Sequence, residues 1–308
     1  MDLSLLTDPV FLAQNLVDGL ARGALYAVYA MGLTLIFGVL DIINLAHAAT
    51  FMWCAFAGWV VMAVVGLPLP AGLLAAMAAG AAIALLLEYV AFRPLRREGS
   101  DRLSTMISSI GMSLILVSVA EAVFGVETRR FPSRVLSPKP FHLGGPGGVR
   151  VSPAQVLIVA ASLALLAAMG WFIRRTRMGK AVRAIAASQK AARLLGIPVG
   201  RVIVTTFLVA GALAGAAGIL VGLLTNDIVP DMGGQIQLRG LAVVILGGMG
   251  NMEGAVLGGL ALGLVETFAI AYLPGGSDVK DAVVFLILFL ILFVRPNGLL
   301  GRTPVERA

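Results

Sequence analysis

The chain has 308 residues, of which 59% are apolar and 13% charged, and its mean hydropathy is +0.97. An ordinary globular domain carries roughly 25% charged residues, so a soluble fold of this size cannot hide that much apolar surface, and lipid is the expected solvent. The formal charge of +7 reads as topology rather than as a nucleic-acid surface: of the 23 Lys and Arg, four fall in 93–102, eight in 174–201 and three in 295–307. Each cluster directly follows an apolar run, as the positive-inside rule writes a cytoplasmic loop, and no aromatic residues interleave with the bases as a nucleic-acid platform requires. Thirty-seven glycines suit helices that pack backbone to backbone in a bilayer. One cysteine, Cys54, excludes an internal disulfide, and two histidines, His47 and His142, argue against a histidine-based metal enzyme. The sequence calls for no metal and no cofactor.

In chain order, the start carries Asp2, Asp8 and Asp18 and no base before Arg22, the opposite of a secretory signal. It is expected to be a retained span with the N-terminus outside. Continuous apolar runs follow at 12–38, 43–66, 69–92, 104–124, 153–173, 202–224, 254–273 and 281–295. About 20 helical residues cross the ~30 Å hydrocarbon core, so each is a candidate span. A shorter run, 238–250, is expected to be a short or broken crossing. With it, the parity places the C-terminus, with Arg295, Arg302 and Arg307, in the cytoplasm.

The expected fold is all-α, a polytopic transmembrane helix bundle of about eight or nine spans with broken or short helices, forming one permease domain over 1–308. The outer loop, about 125–152, is proline- and glycine-rich and expected to form irregular turns. It is basic despite its side, holding Arg129, Arg130, Arg134, Lys139 and Arg150 against Glu127. No nucleotide-binding motif occurs; Gly179-Lys180 lacks the upstream glycine and the following Ser/Thr of a P-loop.

Three stretches interrupt the apolar pattern. Asp41, Asn44 and His47 recur at intervals of three, which on a helix puts them on one side. Spacing alone leaves two readings open: a broken helix whose polar groups line a substrate route, or a turn at the membrane interface. In 246–259, Gly247, Gly248, Gly250 and Gly254 surround Asn251 and Glu253. Glycine lets backbone leave the helix, and a break beside a pathway is the expectation here, whereas Gly211/Gly215, Gly218/Gly222 and Gly259/Gly263 read as close helix packing. The basic loop 174–201 has an alanine-rich centre closed by Gly196 and Pro198, with Val182, Ile185, Ala192 and Leu195 as an apolar stripe. It reads either as a cytoplasmic helix docking into a partner or as a basic amphipathic helix resting on anionic lipid. Glu88 is expected to pair with Arg93, and Glu266 is the most central carboxylate of any span.

These stretches resemble the LivH-type permeases of branched-chain amino acid ABC importers, the binding-protein-dependent transport inner-membrane component family. The likeness runs through Gly23-Ala24-Leu25-Tyr26-Ala27 and Gly32–Gly38, the Ile43-Asn44-Leu45-Ala46-His47 motif, and Glu88–Arg96. It continues through Ile107–Ser113, Arg177-Met178-Gly179-Lys180-Ala181-Val182-Arg183-Ala184, Leu246–Gly259 and Val294–Arg302. One departure is Ala48, where the family usually has glycine.

The resemblance implies an ATP-driven importer in a bacterial inner membrane, with a second permease subunit, two cytoplasmic ATP-binding subunits and an extracytoplasmic substrate-binding protein. It makes the basic loop a coupling element, with Lys180, Arg183, Ile185, Ala192, Leu195 and Gly196 facing the ATPase. Asn44, His47, Gly247, Gly248, Gly250, Asn251 and Glu253 become pathway or helix-break residues, and no residue is catalytic. The rival readings are an ion-coupled secondary transporter, resting on Glu253 and Glu266, and an intramembrane enzyme, resting on His47 with Cys54 or a serine.

Overall fold

The structure is a computed structural model that describes residues 8–132, 141–143, 148–273 and 275–301. Arg134, Lys139, Arg302, Arg307 and Asp2 lie outside the described residues. Helix α1, Pro9–Leu40, begins at Asp8, whose carboxylate accepts the Val10 N–H, and its 32 residues span about 48 Å at 1.5 Å each. It is the central post, packed most extensively on α11, Met252–Tyr272, and on α9, Val199–Thr225. Helix α2, His47–Trp59, continues through a wider π-type turn, Val60–Val64, and Gly66 then reverses the chain into α3, Leu69–Leu87. Another π-type turn, Glu88–Phe92, leads into α4, Arg93–Glu98. Helix α5, Arg102–Phe124, is capped by Asp101, which accepts from the Ser104 hydroxyl and N–H. Those bonds hold the Asp101 carboxyl below the usual carboxylate value, so the cap is complete at neutral pH and fails as pH falls through the lowered value.

The 125–152 loop holds a short antiparallel hairpin, β1 Phe141–Leu143 and β2 Val149–Val151, where the sequence predicts only irregular turns. Three-residue strands have too few side chains to show an alternation. Helix α6, Pro153–Arg175, starts in a full capping box between Ser152 and Gln155. The basic loop forms α7, Arg177–Ala187, and α8, Gln189–Leu194. After α9 come α10, Met232–Gly247, then α11, then α12, Gly276–Val294.

Seven helices among the described residues are long and apolar enough to cross a membrane, and α10, at 16 residues, is a shorter apolar helix. The run expected at 238–250 is thus a real helix that starts earlier and stops at the glycines. Two of the three expected packing pairs, Gly211/Gly215 and Gly259/Gly263, lie at helix seams, and in the third Gly218 does so while Gly222 faces the Phe131 and Ile228 side chains. Gly211 and Gly80 meet backbone to backbone between α9 and α3, and Gly215 meets Ala76 on the same seam. Gly259 and Gly263 seat on Ala27 and Gly23 of α1, and Gly218 abuts the Phe51 carbonyl. In lipid, such close approach with van der Waals contact is what joins helices.

Glu88 is fully buried, and its partner is Arg96 rather than Arg93: the two guanidinium nitrogens reach its oxygens at 3.1 and 2.5 Å. The π-type turn shifts the helical phase, so Arg96 comes beneath Glu88 while Arg93 lies over the Tyr89 ring at 4.9 Å. Removing one partner of a buried pair leaves a charge without compensation, at about 3 kcal/mol even with the guanidinium partly exposed. Arg96→Ala is therefore expected to lower the melting temperature of the detergent-solubilised chain clearly, and an unchanged melt would contradict this pairing.

Candidate transport site and coupling surface

The stretch predicted as one helical face is not helical. Asp41 ends α1 in the left-handed region (φ 58°), and 41–46 is irregular up to His47, the first residue of α2. Asp41 is exposed and ion-paired with Arg102. By contrast, Asn44 and His47 are each 1% exposed. The Asn44 Oδ1 accepts the Ala46 N–H at 3.0 Å, replacing a helical partner. The Leu45 N–H donates to Ser109 of α5 at 3.2 Å. The His47 ring sits against Gly32 of α1 and near the Ala210 carbonyl of α9. Those two residues lie about 12 Å and 16 Å from the near ends of their helices at 1.5 Å per residue. The chain thus leaves α1 at one end of the bundle and re-enters helix deep within it. Irregular backbone survives at such depth only where protein or a water-filled cavity surrounds it. Asp41 thus stands exposed at the start of the break, and Asn44 and His47 are enclosed by protein within it. Ala48, the departure from the family pattern, packs under Gly233 of α10.

Beside His47, at a ring-centroid distance of 5.0 Å, lies Tyr29, whose hydroxyl donates to the Gln237 Oε1 at 2.6 Å. Neither the His47 Nε2 nor the Gln237 Nε2 has a hydrogen-bond partner among the described residues. These buried polar groups join α1, α2 and α10.

The glycine-rich stretch forms a joint at one end of the bundle. Gly247 and Gly254 touch backbone to backbone, and Gly248 and Gly250 take positive φ (101° and 79°) to turn the chain between α10 and α11. Asn251 caps α11 by accepting the Gly254 N–H at 3.0 Å and donates to the Leu300 carbonyl at 2.7 Å. The Leu299 and Leu300 N–H groups bond to the Leu246 and Gly247 carbonyls, so the 297–301 segment is laid over the turn. Glu253 is exposed and ion-paired with Arg174 at the end of α6. This places the stretch beside the basic loop.

Within that loop a bend separates α7 from α8: Ser188 is extended (φ −164°), and its hydroxyl caps α8. Val182, Ile185 and Ala192 turn inward and join the bundle core. Leu195 does not follow them. It lies just past the end of α8, and Leu195 is 79% exposed with Leu194 at 89%. Lys180, Arg183, Lys190 and Arg193 of the same loop are exposed as well, and Gly196 ends the segment at φ 77°. Gly179 is pressed on the Phe172 and Ile173 carbonyls, which makes the tight turn out of α6 possible. Gln189 donates its side-chain N–H to the Val39 carbonyl at 2.8 Å, satisfying a carbonyl of the last turn of α1.

A network absent from the sequence expectations surrounds Glu266. Its Oε2 accepts the Tyr26 hydroxyl at 2.5 Å, and its Oε1 lies 3.3 Å from Arg239 and 3.9 Å from Arg22. Arg239 also reaches Asp281 of α12 at 3.2 Å. Only the presence of a base inside a short apolar helix signalled it.

A bundle of membrane-length helices, broken inside its core and carrying a basic loop between two of them, fits a polytopic membrane subunit. The family profile described as "Branched-chain amino acid transport system / permease component" matches residues 15–292, and the chain belongs to that family. It is 36% identical over 302 residues to the high-affinity branched-chain amino acid transport system permease protein BraD of Pseudomonas aeruginosa, covering 96% of this chain and 97% of that one. It is 33% identical over 306 residues to the corresponding permease protein LivH of Escherichia coli, covering 97% and 98%. Among solved structures, PsaBC from Streptococcus pneumoniae in complex with Fab is 13% identical, covers 95% of this chain and 94% of that chain, and has a TM-score of 0.47.

Proposed function

We propose that this chain forms half of the translocation pathway of an ATP-driven importer of branched-chain amino acids. It does so with a second permease subunit, two cytoplasmic ATP-binding subunits and an extracytoplasmic substrate-binding protein. The observation that carries this reading is the likeness to BraD over 96% of the chain. The whole of 1–308 acts as one membrane domain in a bacterial inner membrane, with the N-terminus outside, the C-terminus in the cytoplasm and bilayer lipid around the bundle. It is a transport subunit and performs no chemistry of its own.

Coupling runs through the basic loop. Leu194 and Leu195 are exposed apolar side chains in a loop whose bases are also exposed, a form that a protein groove fills better than water does. Lys180, Arg183 and Gly196 shape that surface, while Ile185 and Ala192 anchor it to the bundle. Closure of the ATPases moves α7 and α8, and Gln189 passes the displacement to the end of α1. From there the 41–46 break, tied to α5 through Arg102 and Ser109, shifts Asn44 and His47 against α9 and α10. The turn at Gly247, Gly248, Gly250, Asn251 and Glu253 serves as the second joint, between α10 and α11. Alternating access is then a change between two packings of these elements.

Gln189→Leu is expected to keep the fold and basal ATP hydrolysis but to lower uptake about tenfold, through loss of one buried hydrogen bond and the contact it guides. Uptake equal to that of the unmodified chain would remove Gln189 from the path. The function itself is tested by isolating the tagged chain from its own membranes and identifying what co-purifies, followed by competition of labelled leucine uptake with valine, isoleucine, urea and amides. An importer complex whose uptake only the branched-chain amino acids inhibit is the expected result. A complex competed equally by amides would reassign the substrate.

A further inference from the structure

The Glu266 network is used by none of the steps above, and it has the form of a ligand site. Arg239 has five N–H donors, of which one makes a hydrogen bond among the described residues, to Asp281. Its two carboxylate neighbours differ. Glu266 is 1% exposed in its side chain, fixed by the Tyr26 hydroxyl, and retains an oxygen, Oε1, with no hydrogen-bond partner among the described residues. Asp281 is 57% exposed in its side chain and held by Arg239 alone among the described residues. Arg239 itself is 14% exposed, with the Tyr26 ring 5.9 Å from its guanidinium carbon.

Arg239 is the eighth residue of α10, and Asp281 the sixth of α12. Charges standing open on the flank of spans are costly against lipid and persist where the flank faces water or another protein. Along the same open side of α10 lie Gln235 and Leu238, so that flank is mixed rather than uniformly apolar.

The geometry points to the Arg239–Asp281 pair as a transient site for a zwitterionic amino acid, with the substrate inserted into the ion pair. The substrate carboxylate takes the Asp281 position on Arg239, and its ammonium takes Asp281 itself, while Glu266 and Tyr26 hold the guanidinium in place. Opening one pair and forming two leaves the net charge unchanged, which suits a step that must also release its cargo. Arg is the cation fitted to this exchange, because its planar fork offers a carboxylate two parallel donors. The inference rests on the proposed substrate class and assigns it a place in this chain.

The test is saturation-transfer NMR on the solubilised transporter complex without its binding protein, with leucine, 4-methylpentanoate (which lacks the ammonium) and 3-methylbutylamine (which lacks the carboxylate) as probes. Leucine is expected to give the strongest signal. Asp281→Asn, an exposed substitution, should weaken the leucine and 3-methylbutylamine signals about tenfold and spare 4-methylpentanoate, the size expected for loss of one charge-assisted contact. Asp281→Glu should restore leucine. Equal signals from all three probes on the unmodified complex, or an Asp281→Asn complex that binds leucine as before, would overturn the proposal, and so would loss of all three together, which marks a structural pair. Parallel uptake with the binding protein present separates the two readings: leucine import without leucine contact at this pair sinks the site alone, and absence of any amino acid import sinks both.

Discussion

Gly211→Leu is expected to remove nearly all folded chain from the membrane. A Cβ placed on Gly211 would come within 2.2 Å of the Gly80 carbonyl oxygen and 2.5 Å of the Ala84 Cβ, so no rotamer of a larger side chain fits between α9 and α3. Overpacking a rigid interior costs about 1–3 kcal/mol where side chains give way, and here the obstacle is main chain. Either the two helices separate along their whole seam, losing the contacts at Gly215 and Ala76 as well, or the substituted chain fails to assemble. Folded protein, measured by size-exclusion of detergent extracts, should fall at least about tenfold, and Gly211→Ala should fall less. A Gly211→Leu chain recovered at the normal level with a normal melt would show that the α3–α9 seam is not closed as described.

Leu194→Glu combined with Leu195→Glu is expected to abolish transport without touching the fold. Both side chains are almost wholly exposed, so charging them removes no packing from the bundle. In an interface, however, a few apolar anchors carry most of the affinity, each about 2 kcal/mol or more. ATPase subunits should no longer co-purify, and substrate-stimulated ATP hydrolysis and uptake should fall by about a hundredfold. Arg183→Ala with Leu195→Ala should give a smaller version of the same loss. Retained co-purification in the doubly charged variant would move the docking surface elsewhere.

What hydropathy could show, it showed: every membrane-length helix lies over an apolar run, because burial in lipid acts on composition and length. The glycine pairs were equally legible, since spacing of four on a helix puts small residues on one face. Three features were not. The periodicity of Asp41, Asn44 and His47 identifies a common face only if a helix exists there, and the left-handed Asp41 breaks it. Leu195 left the apolar stripe because the helix that carries Ala192 ends at Leu194, a boundary that the apolar spacing does not mark. Arg239 lies 27 residues from Glu266 and 42 from Asp281, and nothing in a linear pattern joins one base in a short apolar run to acids on two later helices.

In the proposed importer, energy enters through separate ATP-binding subunits. The most direct measurement is leucine uptake into proteoliposomes holding the purified complex, with binding protein outside and either ATP enclosed or an ion gradient imposed. The expected uptake requires both enclosed ATP and the binding protein, persists with a protonophore and is lost when a non-hydrolysable analogue replaces ATP. Uptake by this chain alone, driven by the gradient and abolished by the protonophore, would contradict it and make Glu266 and Glu253 the coupling carboxylates of a secondary transporter.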